Sequence, residues 1–142
     1  MSIEGLERLE AWKRSKDFAI SIYKDVLWLL PPEEKWGLNQ QIRRAAQSVP
    51  ANIAEGYGRF HYKENRQFQY FARGSLHEAH HWLRRARVRK LMTEQRSKEF
   101  LDRLADLAPQ LNAYIRTLDR RSRKENSQQP AVHAQGQGPG PT

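Results

Sequence analysis

Five residues of the chain, His77-Glu78-Ala79-His80-His81, have the spacing with which zinc metalloproteases hold their metal. In such a pattern two histidines one helical turn apart bind zinc, the glutamate serves as general base, and a third ligand follows downstream. Glu94 and Glu99 are the acids placed to supply it. Helix geometry argues against that chemistry. With Ala79 at the centre of an apolar face, a rotation of about 100° per residue turns His77 and His81 about 160° away on either side. Both then face away from the protomer's own core, where no cleft would hold a substrate, so His77 and His81 are at most adventitious metal ligands. No Ser/His/Asp arrangement or phosphate-cradling glycine loop stands elsewhere, Gly56-Tyr57-Gly58 being too short. The 142 residues include no cysteine, which excludes disulfides, thiolate metal sites and cysteine nucleophiles. A protein without catalytic activity and without a cofactor is expected.

Charge points to a different chemistry. The net charge is +9, yet residues 1–58 carry eight basic and eight acidic side chains. The surplus lies in residues 59–90, where Arg59, Lys63, Arg66, Arg73, Arg84, Arg85, Arg87, Arg89 and Lys90 face only Glu64 and Glu78, and in residues 116–125, with five bases against two acids. A surplus concentrated in this way suits a polyanion, because each neutralised phosphate releases condensed counterions. Arg59, Arg66, Arg84, Arg85, Arg87, Arg89 and Lys90, together with Arg43 and Arg44, are the expected phosphate contacts on RNA or DNA. The plainer alternative is a solvated basic face that binds nothing specific. Acidic lipid is a weaker fit, since every amphipathic segment is needed for the core.

Aromatic residues are interleaved with these bases: Tyr57, Phe60, Tyr62, Phe68, Tyr70 and Phe71. Phe68 and Phe71 read as core. Phe60 and Tyr62 fall in a turn, where they could stack on bases or, in closer accord with the pattern, pack against a neighbouring subunit.

Four amphipathic segments must position these groups. The first spans about residues 11–30, with Ala11, Ser15, Phe18, Ala19, Ile22, Val26, Leu29 and Leu30 on one face, and Pro31-Pro32 ends it. In the second, Leu38, Ile42, Ala45, Ala46, Val49 and Ile53 keep one helical phase straight through Pro50, which predicts a kink within a single helix. Asn52 and Glu55 lie within reach of the disturbed turn, and with Pro50 and Gly56 they form a structural motif; Gly56 or Gly58 is expected to close the helix at positive φ. The third segment, about residues 63–90, carries Phe68, Ala72, Ser75, Leu76, Ala79, Leu83 and Ala86 in register. The fourth starts at Thr93 as N-cap and continues in phase through Pro109. No stretch alternates with period two, so no sheet is predicted. Short connections between such helices predict an all-α, antiparallel up-down-up-down four-helix bundle with kinked helices. The expected layout is an N-terminal arm at 1–9, the bundle at 10–121 and a disordered tail at 122–142. With no apolar run of about 20 residues and no evident signal peptide, the expected location is the cytoplasm.

Several blocks carry a family resemblance: Leu9-Glu10-Ala11-Trp12, Pro32-Glu33-Glu34-Lys35-Trp36-Gly37-Leu38, the stretch 41–59 with its Val49-Pro50-Ala51-Asn52-Ile53-Ala54-Glu55-Gly56 run, Gly74-Ser75-Leu76-His77-Glu78, and Leu111-Asn112-Ala113-Tyr114-Ile115. The sequence resembles the bacterial four-helix bundle family encoded in intervening sequences of large-subunit ribosomal RNA genes. More distantly it is similar to the accessory variability proteins of diversity-generating retroelements. The resemblance implies a homopentameric ring and no enzyme activity. Trp12, Trp28, Trp36 and Trp82 supply apolar surface for such an oligomer. The resulting expectation is a non-catalytic, oligomeric nucleic-acid-binding protein. Its rival is a scaffold that docks a protein partner such as a reverse transcriptase, and a zinc hydrolase at His77, Glu78 and His81 is the remote third.

Overall fold

A computed structural model describes residues 2–128, all of whose regular structure is helical, with no strand among them. The N-terminal arm contains a short helix, α1 (Ile3–Arg8), capped by Ser2, whose Oγ accepts the Gly5 amide at 3.0 Å. Helix α2 (Glu10–Ser21) follows directly. Its buried stripe continues through Phe18, Ile22, Val26 and Leu30, three consecutive steps of four residues. Each such step overshoots an α-helical turn by about 40°. The chain absorbs the excess by widening into a π-helical turn at Ile22–Val26, closed by an i→i+5 bond from Leu27 N to Ile22 O at 3.2 Å. The single helix expected over 11–30 is therefore shorter, and Leu29, expected on the buried face, is 46% exposed.

A 3-10 turn (Pro32–Glu34) leads to α3 (Leu38–Tyr57), which runs through Pro50 without interruption. Glu34 secures the entry. One of its carboxylate oxygens accepts the Leu38 amide at 3.0 Å and the other takes a hydrogen bond from Arg89, so the start of α3 is tied to a residue far along the chain. These contacts hold the Glu34 carboxyl below its ordinary value, Arg89 contributing most and the Leu38 amide next.

Helix α4 (Tyr62–Val88) buries Asn65, Gln69, Ala72, Leu76, Ala79, Leu83 and Ala86. Steps alternating between four and three residues give one continuous seam. The register differs from expectation at its start, where Gln69 rather than Phe68 lies in the core. Three alanines in the seam bring α4 close to α3, which contributes Ala45 and Ala46. At the end of α4, Lys90 adopts φ 57°, the only positive φ among the described residues. Bonds from Lys90 N to Arg87 O and Leu91 N to Ala86 O complete a Schellman-type cap, a position usually taken by glycine.

Thr93 caps α5 (Glu94–Gln128), its Oγ1 accepting the Arg96 amide at 3.2 Å. Helix α5 passes through Pro109 and continues to Gln128, beyond the bundle boundary expected at 121, with Ser122 still buried. The rest of the expected tail, 129–142, lies outside the described residues. Helix α2 packs on α3 and α5, α3 on α4, and α4 on α5. Phe18 of α2 meets Phe100 of α5 edge-on at the centre, ring centroids 6.5 Å apart.

Gly58 closes α3 with φ −74°, and no described glycine has positive φ, so the expected role of glycine at this terminus is corrected. Gly56 serves packing instead. A Cβ there would lie 2.6 Å from Gln69 Nε2, 2.7 Å from Asn65 Oδ1 and 2.8 Å from Phe68 Cβ. Glycine is what permits α3 and α4 to approach at this level.

Candidate nucleic-acid interface

One position after each member of the α4 seam stands a second row: Arg66, Tyr70, Arg73, His77, His80, Arg84 and Arg87. The shared spacing sets it along the edge facing α5, where Arg66 pairs with Asp119 and Arg87 with Glu94. Arg73 lies over the Tyr70 ring at 5.1 Å and Arg66 at 5.9 Å. The cations of this strip are unequal: Arg66 and Arg87 are held by carboxylates, whereas Arg73 and Arg84 have no carboxylate partner among the described residues.

The expected phosphate contacts fall into two groups. Arg59, Arg66, Arg87 and Arg89 are held by Glu55, Asp119, Glu94 and Glu34 respectively. Arg43, Arg44, Arg84, Arg85 and Lys90 have no carboxylate partner among the described residues. Arg84, Arg85 and Lys90 gather at the C-terminal end of α4, where cations also complement the helix dipole. That end lies beside the beginning of α3, the helix that carries Arg43 and Arg44.

The zinc reading finds no third ligand. His77 and His81 are exposed, and His81 meets the Trp82 ring edge-on at 4.8 Å. Glu78 accepts the Trp82 indole N–H, Glu94 is held by Arg87, and Glu99 by Arg96 and Arg103. Among the described residues no group of three His, Asp or Glu side chains is arranged to hold a metal ion. His80 titrates below its ordinary value, chiefly through burial, with Arg84 and His77 adding to the effect.

At the Pro50 motif both polar members, Asn52 and Glu55, find partners four residues away in the chain. The proline lacks the N–H that would reach Ala46 O, yet Asn52 Nδ2 donates to Ser48 O at 2.8 Å and to Ser48 Oγ at 3.0 Å. Ser48 Oγ in turn accepts from Ser75 Oγ at 2.9 Å, which links the turn to α4. Glu55 pairs with Arg59 at 2.7 Å and does not return to the kinked turn.

Phe71 is 51% exposed and Phe68 lies half-buried beneath the Arg59 guanidinium at 4.7 Å, so neither is core. Trp12 and Trp82 are half-buried, while Trp28 and Trp36 stand 80% and 73% exposed. Sequence patterning missed a buried polar network. Gln69 Nε2 donates to Ile53 O and to Asn65 Oδ1, and Asn65 Nδ2 donates to the Tyr114 hydroxyl at 2.9 Å. Asn65 and Gln69 sit at i and i+4 on the α4 seam, a polar pair in apolar phase that was the available signal. The network borders a cleft of about 740 Å³ between α1 and the neighbouring ends of α3, α4 and α5.

No helix among the described residues is long and apolar enough to cross a membrane. A crystal structure of a protein with unknown function from the S23 ribosomal protein family of Bacteroides thetaiotaomicron shares the fold, with a TM-score of 0.68 and 21% identity over 74% of this chain and 97% of that one. No curated protein matches the chain. Residues 7–113, which include α2, α3, α4 and the first part of α5, match the family described as 23S rRNA-intervening sequence protein. The chain belongs to the 23S rRNA-intervening sequence protein family.

Proposed function

We propose that this protein is a non-catalytic nucleic-acid-binding protein whose protomer is an up-down-up-down four-helix bundle and whose working form is a homopentameric ring. The observation that carries the proposal is the set of cations without a carboxylate partner among the described residues, Arg84, Arg85 and Lys90 at the end of α4 and Arg43 and Arg44 on α3. Cations already held by carboxylates have little left to give a phosphate, whereas these five do. Cyclic symmetry repeats the set and sums its potential. Trp28 and Trp36, each more than two-thirds exposed, supply apolar surface for the subunit contacts.

The contacts are to phosphate rather than to base edges, so unrelated RNA and DNA sequences should bind alike, with log affinity falling linearly in log salt. Charge reversal of Arg84, Arg85 and Lys90 together should flatten that slope while the ring survives. An unchanged slope in an assembled triple variant would overturn the assignment of the surface. The same exposed tryptophans favour a second reading, a scaffold that docks a protein partner such as a reverse transcriptase. Absence of any nucleic-acid binding at low salt would put that reading first.

A further inference from the structure

The cleft beside the Asn65–Gln69 network is a candidate site separate from the basic end of α4. It lies at the opposite end of α4, lined by Tyr57, Phe60, Tyr62 and Tyr114 and flanked by Arg8 and Arg121. Its volume of about 740 Å³ suits a small aromatic ligand.

Its charge selects an anion. Two acids also line it: Glu10 is engaged by Lys13 and Arg14, whereas Glu125 meets only His61, a contact that is an ion pair only when that ring is protonated. Arg8 and Arg121 have no carboxylate partner among the described residues, and Arg121 lies 5.7 Å from the centre of the Tyr62 ring. With Glu10 offset by its own partners, Arg8 and Arg121 outnumber the remaining acid, Glu125, and the positive charge sits next to aromatic faces.

Its hydrogen bonding has a fixed direction. A carbonyl only accepts, so Ile53 O obliges Gln69 to present Nε2. The same Nε2 donates to Asn65 Oδ1, which leaves Asn65 Nδ2 to donate to Tyr114. The phenol oxygen thus receives a hydrogen bond, and its own O–H has no acceptor among the described residues. Like any tyrosine, Tyr114 keeps that proton at neutral pH, and burial pushes its phenol further above the ordinary value. The cleft offers a preset donor, aromatic faces and two cations.

We propose that this cleft binds one unpaired nucleotide unit, its base against Tyr62 and Phe60, its phosphate at Arg8 and Arg121, and a base or sugar oxygen accepting from Tyr114. The inference rests on the nucleic-acid reading above for its biological setting, but the chemistry of the cleft stands apart from the α4 surface. A paired base cannot enter, so the site distinguishes single strands from duplexes where the basic strip does not.

The test uses the full chain with three probes: adenosine monophosphate, a ten-residue oligoadenylate and a duplex RNA of twenty base pairs. Tyr62→Ala should weaken oligoadenylate binding roughly fivefold or more, the loss of one stacked base. Tyr114→Phe should weaken it roughly threefold to tenfold, the loss of one hydrogen bond. Both should leave duplex affinity unchanged, with thermal melting confirming the fold. Ring resonances of Tyr114 should shift with adenosine monophosphate if the unit is a free nucleotide, and with oligoadenylate alone if it must belong to a strand. Unchanged oligoadenylate affinity in both variants, or Tyr114 resonances unmoved by either single-stranded probe, would overturn the proposal while leaving duplex binding through α4 intact. Loss of duplex binding from wild type would remove the α4 surface instead, and the adenosine monophosphate titration would still decide the cleft.

Discussion

Replacing Gly56 with alanine tests the close approach of α3 and α4. In an ordinary helix the change would stabilise by about 0.5–1 kcal/mol, because glycine loses the most backbone freedom on folding. Here the added methyl would meet Gln69 Nε2, Asn65 Oδ1 and Phe68 Cβ, each within 2.8 Å. Overpacking of this kind costs about 1–3 kcal/mol. Displacing Gln69 from Ile53 O also strands a buried amide, at about 1–3 kcal/mol. The opposing terms leave Gly56→Ala destabilised by about 1–5.5 kcal/mol. Gly74 is the internal control. It lies exposed within α4 with nothing within 4 Å of its Cβ position, so Gly74→Ala should gain the about 0.5–1 kcal/mol that Gly56→Ala forfeits. Urea denaturation of both variants gives the comparison directly. A Gly56→Ala protein as stable as Gly74→Ala would show that α3 can move away from α4 at little cost, and the packing argument would fail.

Four further outcomes are expected. Lys90→Gly should raise stability by about 1 kcal/mol in thermal melts by relieving the left-handed backbone at the cap of α4, and should lower nucleic-acid affinity through the lost charge. Asn52→Ala should cost about 1 kcal/mol through its bonds to Ser48, and Glu55→Ala under about 0.5 kcal/mol because its pair with Arg59 is exposed; equal losses in urea midpoints would contradict this ordering. The depressed value of His80 means that the unfolded chain takes up a proton more readily than the folded one, so its contribution is complete above about pH 6.5 and is lost as pH falls through the folded value. Urea midpoints at pH 7.5 and 5.5 should differ less in His80→Asn than in wild type. Light scattering should give about five times the 16.7 kDa chain mass, and Trp28→Ser with Trp36→Ser should lower it; a stable wild-type monomer at micromolar concentration would remove the ring.

Periodicity made the helices legible from the sequence because it is a local property. The α3 stripe from Leu38 to Ile53 keeps phase through Pro50, and every one of its predicted members is buried. Thr93 could be read as an N-cap because the residues it caps are its immediate neighbours. Where adjacent positions compete, hydrophobicity misleads: Phe68 looks like core and Gln69 does not. The choice between them depends on Ile53 O across the helix interface, which accepts the Gln69 amide. The wide turn at Ile22–Val26 was partly visible in the run of four-residue steps, although its closure by an i→i+5 bond is a property of the folded backbone.

The basic surplus was equally visible as composition, but a count of arginines cannot tell the engaged from the free. Arg66 and Asp119 are 53 residues apart, Arg89 and Glu34 55 apart, and only the packed helices bring them together. Likewise the cleft depends on Asn65 meeting Tyr114 across 49 residues of chain. The sequence alone therefore determined the helices and the sign of the charge, since both follow from local residue types. Tertiary structure decided which cations remain available and where a ligand could enter, because those depend on partners distant in the chain.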